Sequence, residues 1–260
     1  MTKKKTAIVT GSTSGIGLAI AQTLAESGCN ILLNGFGEKS EIEAIAECIR
    51  SDFGVDVLYS NADMSNPDEI LTMVQECSTH FSTVDILVNN AGIQHTDSIE
   101  DFPKERWDQI IAINLSSNFH TIQAALPIMR AQNSGRIVNI SSVHGQVASI
   151  NKAAYVAAKH GVLGLTKVVA LETAGTPITC NAICPGWVRT PLAQKQIDAL
   201  AKREDIPEAE AIKRLLGEKQ PSETFITTKQ IGQAVMYLCS DAASEIRGST
   251  IDINGGWLAQ

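Results

Sequence analysis

The chain has 260 residues, 44% of them hydrophobic, and a formal charge of −7 from 28 acidic and 21 basic side chains. That length and apolar fraction are enough for a large core in one or two domains. The charges are interspersed, with no basic block, which argues against nucleic acid or an anionic membrane surface as the main partner.

The opening MTKKKTAIVTGSTSG starts basic, but Thr10, Gly11 and Ser12 break the apolar stretch at once, so no signal-peptide core is expected. No unbroken apolar run is long enough to span a bilayer; no membrane helix is expected, and the expected location is the cytoplasm. TAIVTG then reads as a strand and residues 16–27 as a helix. NILLNG is a second strand, followed by a helix near residues 41–52, and DVLYSNAD is a third strand. PDEILTMVQECSTHF is a helix with Pro67 suited to its first turn. VDILVNNAG is a fourth strand. The long helical pattern of residues 103–132 is expected to bend at Pro127, which lacks a backbone donor. GRIVNISS is a fifth strand, and the alanine-rich helix around NKAAYVAAKHG follows it. PITCNAICPG is a sixth strand, TKQIGQAVMYLCSD a helix and GSTIDING a last strand.

Strands that alternate with helices and are apolar on both faces predict a Rossmann-like α/β fold, a doubly wound parallel sheet covered by helices on both sides. With no linker or repeat, residues 1–260 are expected to form a single dinucleotide-binding catalytic domain. The helical stretch 190–221 departs from the alternation. It reads either as a surface insertion or as a lid over a site at the strand ends, where open α/β sheets bind ligands. The six cysteines, Cys29, Cys48, Cys77, Cys180, Cys184 and Cys239, include no C-x-x-C pair. They read as reduced and mostly buried thiols, with no metal site expected.

TGSTSGIG joins the first strand to the first helix. Gly11 permits a tight turn, Gly15 a close approach of backbone to pyrophosphate, and Gly17 close helix packing. The end of the second strand, NGFGEKS, carries neutral Asn34 and no arginine, which favours NAD over NADP. Phe36 would crowd a 2′-phosphate, and Lys39 is the one cation nearby. Asp63 is readable as an adenine contact or as a helix cap.

TGxxxGIG at residues 10–17, NNAG at residues 89–92, Ser142, Tyr155-x-x-x-Lys159 and the pair Pro185 and Gly186 together resemble the short-chain dehydrogenase/reductase family over essentially the whole chain. The resemblance implies cofactor contacts from Gly11, Thr13, Ser14, Gly15, Ile16, Gly17, Asn34, Gly35, Phe36, Asp63, Met64, Asn90, Ala91, Gly92, Pro185, Gly186, Val188 and Thr190, with Tyr155 and Lys159. It also implies a catalytic set of Ser142, Tyr155 and Lys159, assisted by Asn114 as part of a proton relay. The chemistry agrees: a phenol of ordinary pKa about 10 is a poor base, and a lysine one turn along favours its ionised form.

Lys152 is not required by the family motif. It lies at i, i+3 and i+7 with Tyr155 and Lys159, one face of a helix, and by itself reads as a solvated lysine. With Gln94, His144 and Gln196 it would offer hydrogen bonds and a cation to an anionic group; His144 is also readable as a neutral core or loop histidine. Trp187 and Trp257 would wall a small apolar space, or be core or interface aromatics. The finer resemblance, in NNAGIQH, KAAYVAAKHG, NAICPGWVRTPL and NGGW, is to bacterial family members that interconvert (R)-3-hydroxybutyrate and acetoacetate with NAD. It implies Gln94, His144, Lys152 and Gln196 as carboxylate ligands, a small hydroxy or keto acid as substrate, and a homotetramer. An NADP-dependent reductase of 3-oxoacyl thioesters is disfavoured by the acidic balance and by a carboxylate clamp that a thioester would not use. A non-catalytic NAD-binding protein is disfavoured by the intact Ser142, Tyr155 and Lys159.

Overall fold

The computed structural model describes residues 4–259, so the domain expectation for residues 1–3 and 260 lies outside the described residues. Strands β1 (Thr6–Val9), β2 (Asn30–Asn34), β3 (Val57–Ser60), β4 (Ile86–Asn89), β5 (Gly135–Ile140), β6 (Ile178–Pro185) and β7 (Thr250–Ile253) form one sheet in the order β3-β2-β1-β4-β5-β6-β7. Every neighbouring pair is parallel. Parallel strands need crossovers, which are supplied by α1 (Gly15–Glu26), α2 (Lys39–Phe53), α3 (Pro67–Phe81), α4 (Lys104–Ile111), α5 (Ser117–Ala131), α6 (Ala153–Glu172), α7 (Pro191–Glu204), α8 (Glu208–Gly217) and α9 (Thr228–Leu238).

Alternation along the strands divides the core between the two faces of the sheet. Ala7, Val9, Ile31 and Leu33 pack with Ile20 and Leu24 of α1 and Ile231 and Val235 of α9. Ile8, Leu32 and Leu87 pack with Ile70 and Met73 of α3 and Ile122 and Met129 of α5. Each such aliphatic side chain contributes about 1.5–3 kcal/mol by leaving water. The strand order reverses between β1 and β4, and a crevice opens beyond the strand ends at that point.

The expected long helix divides in a different place from Pro127, which α5 carries inside it. The break is a π-helical turn at Ala112–Ser116. Asn114 in that turn accepts from the Ile93 N–H and donates to the Ile93 carbonyl, each at 2.9 Å. The wider turn thus ties the helix to the loop after β4, and such π-turns often mark functional sites. Among the described residues α6 is apolar and long enough, by length and composition, to cross a membrane. Its Ala154, Ala158, Val162 and Val169 are buried against the rest of the fold, as in a core helix. Cys48 is exposed, whereas the other five cysteines are buried.

The stretch between β6 and α9 carries α7 and α8, joined by an ion pair from Arg214 to Glu204 at 2.8 Å. Its two ends meet: Val188 and Ile226 form a parallel bridge, with Ile226 N–H donating to Trp187 O at 2.9 Å and Arg189 N–H to Ile226 O at 3.1 Å.

Candidate active site

A cavity of about 460 Å³ runs along the carboxyl ends of the strands, from the first turn to Trp257. It is lined by every residue expected at the site except Asn114, whose amide is used on Ile93. It is also lined by Ala62, Ile93, Ile113, Ile140, Ser141, Val143, Pro191 and Ala193, which the sequence reading missed. Most of these adjoin a motif residue, and that adjacency was the only sequence signal for them.

One end of the cavity is bare backbone. Gly11 and Gly15 have φ of 62° and 57°, values that suit glycine. A Cβ on Gly17 would lie 2.2 Å from the Gly11 carbonyl oxygen and 2.5 Å from Asn90 Nδ2. Asn90 Nδ2 donates to the carbonyls of Thr10 and Gly11 at 2.9 and 3.0 Å, which fastens the turn. Ser14 precedes α1 without a side-chain cap, so first-turn N–H groups are left to face an anion.

Past that turn, Asn34 is fully buried and its side chain is spent internally. Its Oδ1 accepts from Gly11 N–H at 3.2 Å, and its Nδ2 donates to the carbonyls of Ser60 and Ala62 at 3.3 and 3.0 Å. Asn34 therefore holds three loops in place. Phe36 stands 66% exposed at the rim. Asp63 Oδ1 accepts from the N–H and hydroxyl of Ser65, both at 2.8 Å; the cap of α3 is Asn66 instead.

The middle of the cavity carries Ser142, Tyr155 and Lys159. Ser142 starts a short 3₁₀ turn after β5 and accepts from His144 N–H at 3.2 Å. Lys159 is buried, its Nζ donating to Ile140 O at 2.8 Å and lying 5.7 Å from the centre of the Tyr155 ring. Burial pushes the Tyr155 phenol above its ordinary range, while a hydrogen bond with Ser142 pulls it down. Burial depresses the Lys159 ammonium to about 8. The direction of the phenol's shift is set by desolvation, not by the lysine as the sequence led one to expect.

Lys152 is the N-cap of α6, with φ −126° and ψ 33°. It thus precedes the helix face on which the sequence spacing placed it, yet it lines the same cavity. Its Nζ lies 5.6 Å from the Trp187 ring centre, and burial lowers its pKa. The His144 ring stands edge-on to Trp257 at 5.5 Å and to Tyr155 at 6.1 Å. Burial, then the charges of Lys152, Lys219 and His160, hold His144 at about 4, so it is neutral near pH 7. Both ring nitrogens of His144, Nε2 of Gln94 and Nε1 of Trp187 are buried without a protein partner. An unsatisfied buried donor costs about 1–3 kcal/mol; Gln94, Trp187 and one nitrogen of neutral His144 carry unpartnered donors, and the other His144 nitrogen an unpartnered acceptor.

Residues 5–201 match the short chain dehydrogenase family. The chain is 55% identical over 260 residues, all of both chains, to D-beta-hydroxybutyrate dehydrogenase of Cupriavidus necator. It is 52% identical over 256 residues, 98% of this chain and 99% of the relative, to the enzyme of that name from Rhizobium meliloti. The crystal structure of an actinorhodin polyketide ketoreductase variant with NADPH superimposes with a TM-score of 0.91 at 32% identity, covering 98% of this chain and 97% of that one. The chain belongs to the short-chain dehydrogenase family. Members of this family are oxidoreductases that use a nicotinamide cofactor. The glycine turn, where a Cβ on Gly17 would strike backbone, and the uncapped start of α1 fit the pyrophosphate of such a dinucleotide in this short-chain dehydrogenase.

Proposed function

We propose that this short-chain dehydrogenase interconverts (R)-3-hydroxybutyrate and acetoacetate with NAD. The observation that carries the substrate class is the cluster of unpartnered donors on Gln94, His144 and Trp187 beside Lys152, next to Tyr155 and Ser142. A carboxylate accepts several hydrogen bonds and is drawn to the ammonium, and the wall of Trp187 and Trp257 limits the chain to a few carbons. The relatives named D-beta-hydroxybutyrate dehydrogenase support the same assignment.

The bound nicotinamide would supply a hydride acceptor for the carbinol carbon, or a donor in the reverse direction. Gly11, Thr13, Ser14, Gly15, Ile16 and Gly17 would hold its pyrophosphate side, with Gly35, Phe36, Asp63, Met64, Asn90, Ala91 and Gly92 along the adenosine and Pro185, Gly186, Val188 and Thr190 at the nicotinamide. Two observations favour NAD. Phe36 stands at the rim, and the only lysines or arginines lining the cavity among the described residues are Lys152 and Lys159, at the reacting end. Tyr155 Oη takes the hydroxyl proton in oxidation and returns it to the ketone in reduction. Ser142 hydrogen-bonds the reacting oxygen. Lys159 stabilises the phenolate as it forms, and Asn114 fixes the loop at Ile93. Lys152, Gln94, His144 and Gln196 orient the carboxylate so that the secondary hydroxyl faces Tyr155.

In this proposal residues 190–221 form a lid that brings Gln196 and Ala193 of α7 over the substrate and excludes water. The enzyme would act in the cytoplasm as a homotetramer, a state supported by the exposed Phe119 of α5 and Val168 and Leu171 of α6. The Lys152→Ala variant tests the clamp. It should raise KM for 3-hydroxybutyrate about tenfold or more, as expected for loss of a charge-assisted contact, while NADH affinity by fluorescence titration stays unchanged. Wild-type kinetics on the acid would refute the clamp.

A further inference from the structure

We propose that Gln220 is a positioning residue that sets the two aromatic walls of the substrate end. The inference rests on reading that end as the hydroxy-acid site. Gln220 follows α8, is fully buried and does not line the cavity. Its Oε1 accepts from the backbone N–H of Trp187 at 2.9 Å, and its Nε2 donates to the carbonyl of Thr224. Its own N–H donates to Leu216 O at 2.7 Å, which closes the end of α8. One side chain therefore links the end of the 190–221 stretch to the first residue of the substrate wall.

The slot around it is built from bare backbone. A Cβ on Gly186 would lie 2.5 Å from Gln220 Oε1. A Cβ on Gly255, at φ 59°, would lie 2.6 Å from Gln220 Cγ. Gly186 belongs to the strand exit that leads to Trp187, and Gly255 to the turn that leads to Trp257. Two further bonds hold these segments together: Gly186 N–H to Ile253 O at 2.8 Å and Ser222 N–H to Gly255 O at 3.0 Å. Trp187 in turn faces Lys152, and Trp257 faces His144. A leucine or methionine could fill the slot, but only a side chain with an acceptor at this reach satisfies the part-buried Trp187 N–H. Displacing that N–H moves the wall against which the short acid packs, while the glycine turn and the adenosine end of the cavity, on the far side of the switch point, are untouched.

Gln220→Met keeps the length and removes both hydrogen bonds; Gln220→Glu, held protonated by burial, keeps the acceptor for Trp187 and offers its O–H to Thr224 O. For Met, KM for 3-hydroxybutyrate should rise about tenfold, the equivalent of one lost hydrogen bond to the wall, with kcat and NADH affinity, the latter held mainly at the glycine turn and adenosine end, each altered by less than about threefold. Glu should lie nearer the wild type. A general loss in which KM, kcat and NADH affinity worsen together, or in which Glu is as poor as Met, would overturn the proposal. Acrylamide quenching of tryptophan fluorescence, with Trp187→Phe as reference, gives a second readout. Met should make Trp187 more quenchable, and unchanged quenching would count against the role of Gln220. If wild-type protein does not turn over 3-hydroxybutyrate, the proposed function fails by itself, and quenching alone decides on Gln220. If the Met variant does not fold, the Glu variant carries both measurements, with near-wild-type KM and quenching expected and a selective KM rise contradicting the proposal.

Discussion

At Tyr155 and Lys159 burial acts before any ligand arrives, raising the phenol and lowering the ammonium to about 8. A phenol held protonated is ready to give its proton in ketone reduction, and oxidation of the alcohol should accelerate as pH rises and the phenolate becomes accessible. Tyr155→Phe should lower kcat by roughly 10²–10⁴, the usual range for a lost acid–base group, and flatten that pH profile, while NADH titration shows the cofactor still bound. His144 carries a stability signature of its own. Unfolded histidine takes a proton near pH 6.5, but folded His144 resists until about 4, with Lys152, Lys219 and His160 facing it. Its contribution is therefore full above pH 6.5 and is lost as pH falls towards 4, up to about 3 kcal/mol. Melting temperature should drop more steeply across that window in the wild type than in His144→Gln; parallel curves would contradict the assignment. Sequence spacing was enough to bring Lys152, Tyr155 and Lys159 to one cavity. It could not show that Lys152 stands at the N-cap position, just outside the helix, because that boundary depends on the loop before it, where Asn151 has φ 63°. The role of Asn34 was hidden for a similar reason: its partners are 23, 26 and 28 residues away.

At the scale of elements, the glycine turn and α1 act as one unit. Gly17→Ala would drive a methyl group into the Gly11 carbonyl and the Asn90 amide, and helix α1 would have to move away from β4. The variant should lose NADH affinity by more than about tenfold and several degrees of melting temperature, since overpacking against backbone costs about 1–3 kcal/mol. Retention of tight NADH binding would contradict this account of the turn. The elements themselves were legible because apolar runs and amphipathic stretches alternate with clear turn residues; α3 begins at Pro67 and ends at Phe81 as its pattern predicts. The division between α4 and α5 was not legible. It depends on the pairing of Asn114 with Ile93, 21 residues apart, whereas Pro127 gave a strong local signal that α5 absorbs.

For the whole molecule, the parallel sheet places every βα turn on one edge, and the reversal between β1 and β4 opens the crevice there. A dinucleotide turn at one end and a donor cluster at the other then lie along a single cavity, with Tyr155 between them. The doubly wound parallel sheet was legible in the alternation of elements, but the tie between Gln220 and Trp187 was not, since it joins residues 33 apart through a backbone N–H. The most direct test of the central claim is NADH formation from (R)-3-hydroxybutyrate with NAD, measured beside the (S) enantiomer, the coenzyme A thioester and NADP. Turnover of the free (R) acid with NAD, and little with the other three, is the predicted result. Activity on the thioester with NADP and none on the free acid would contradict both the carboxylate clamp and the cofactor assignment.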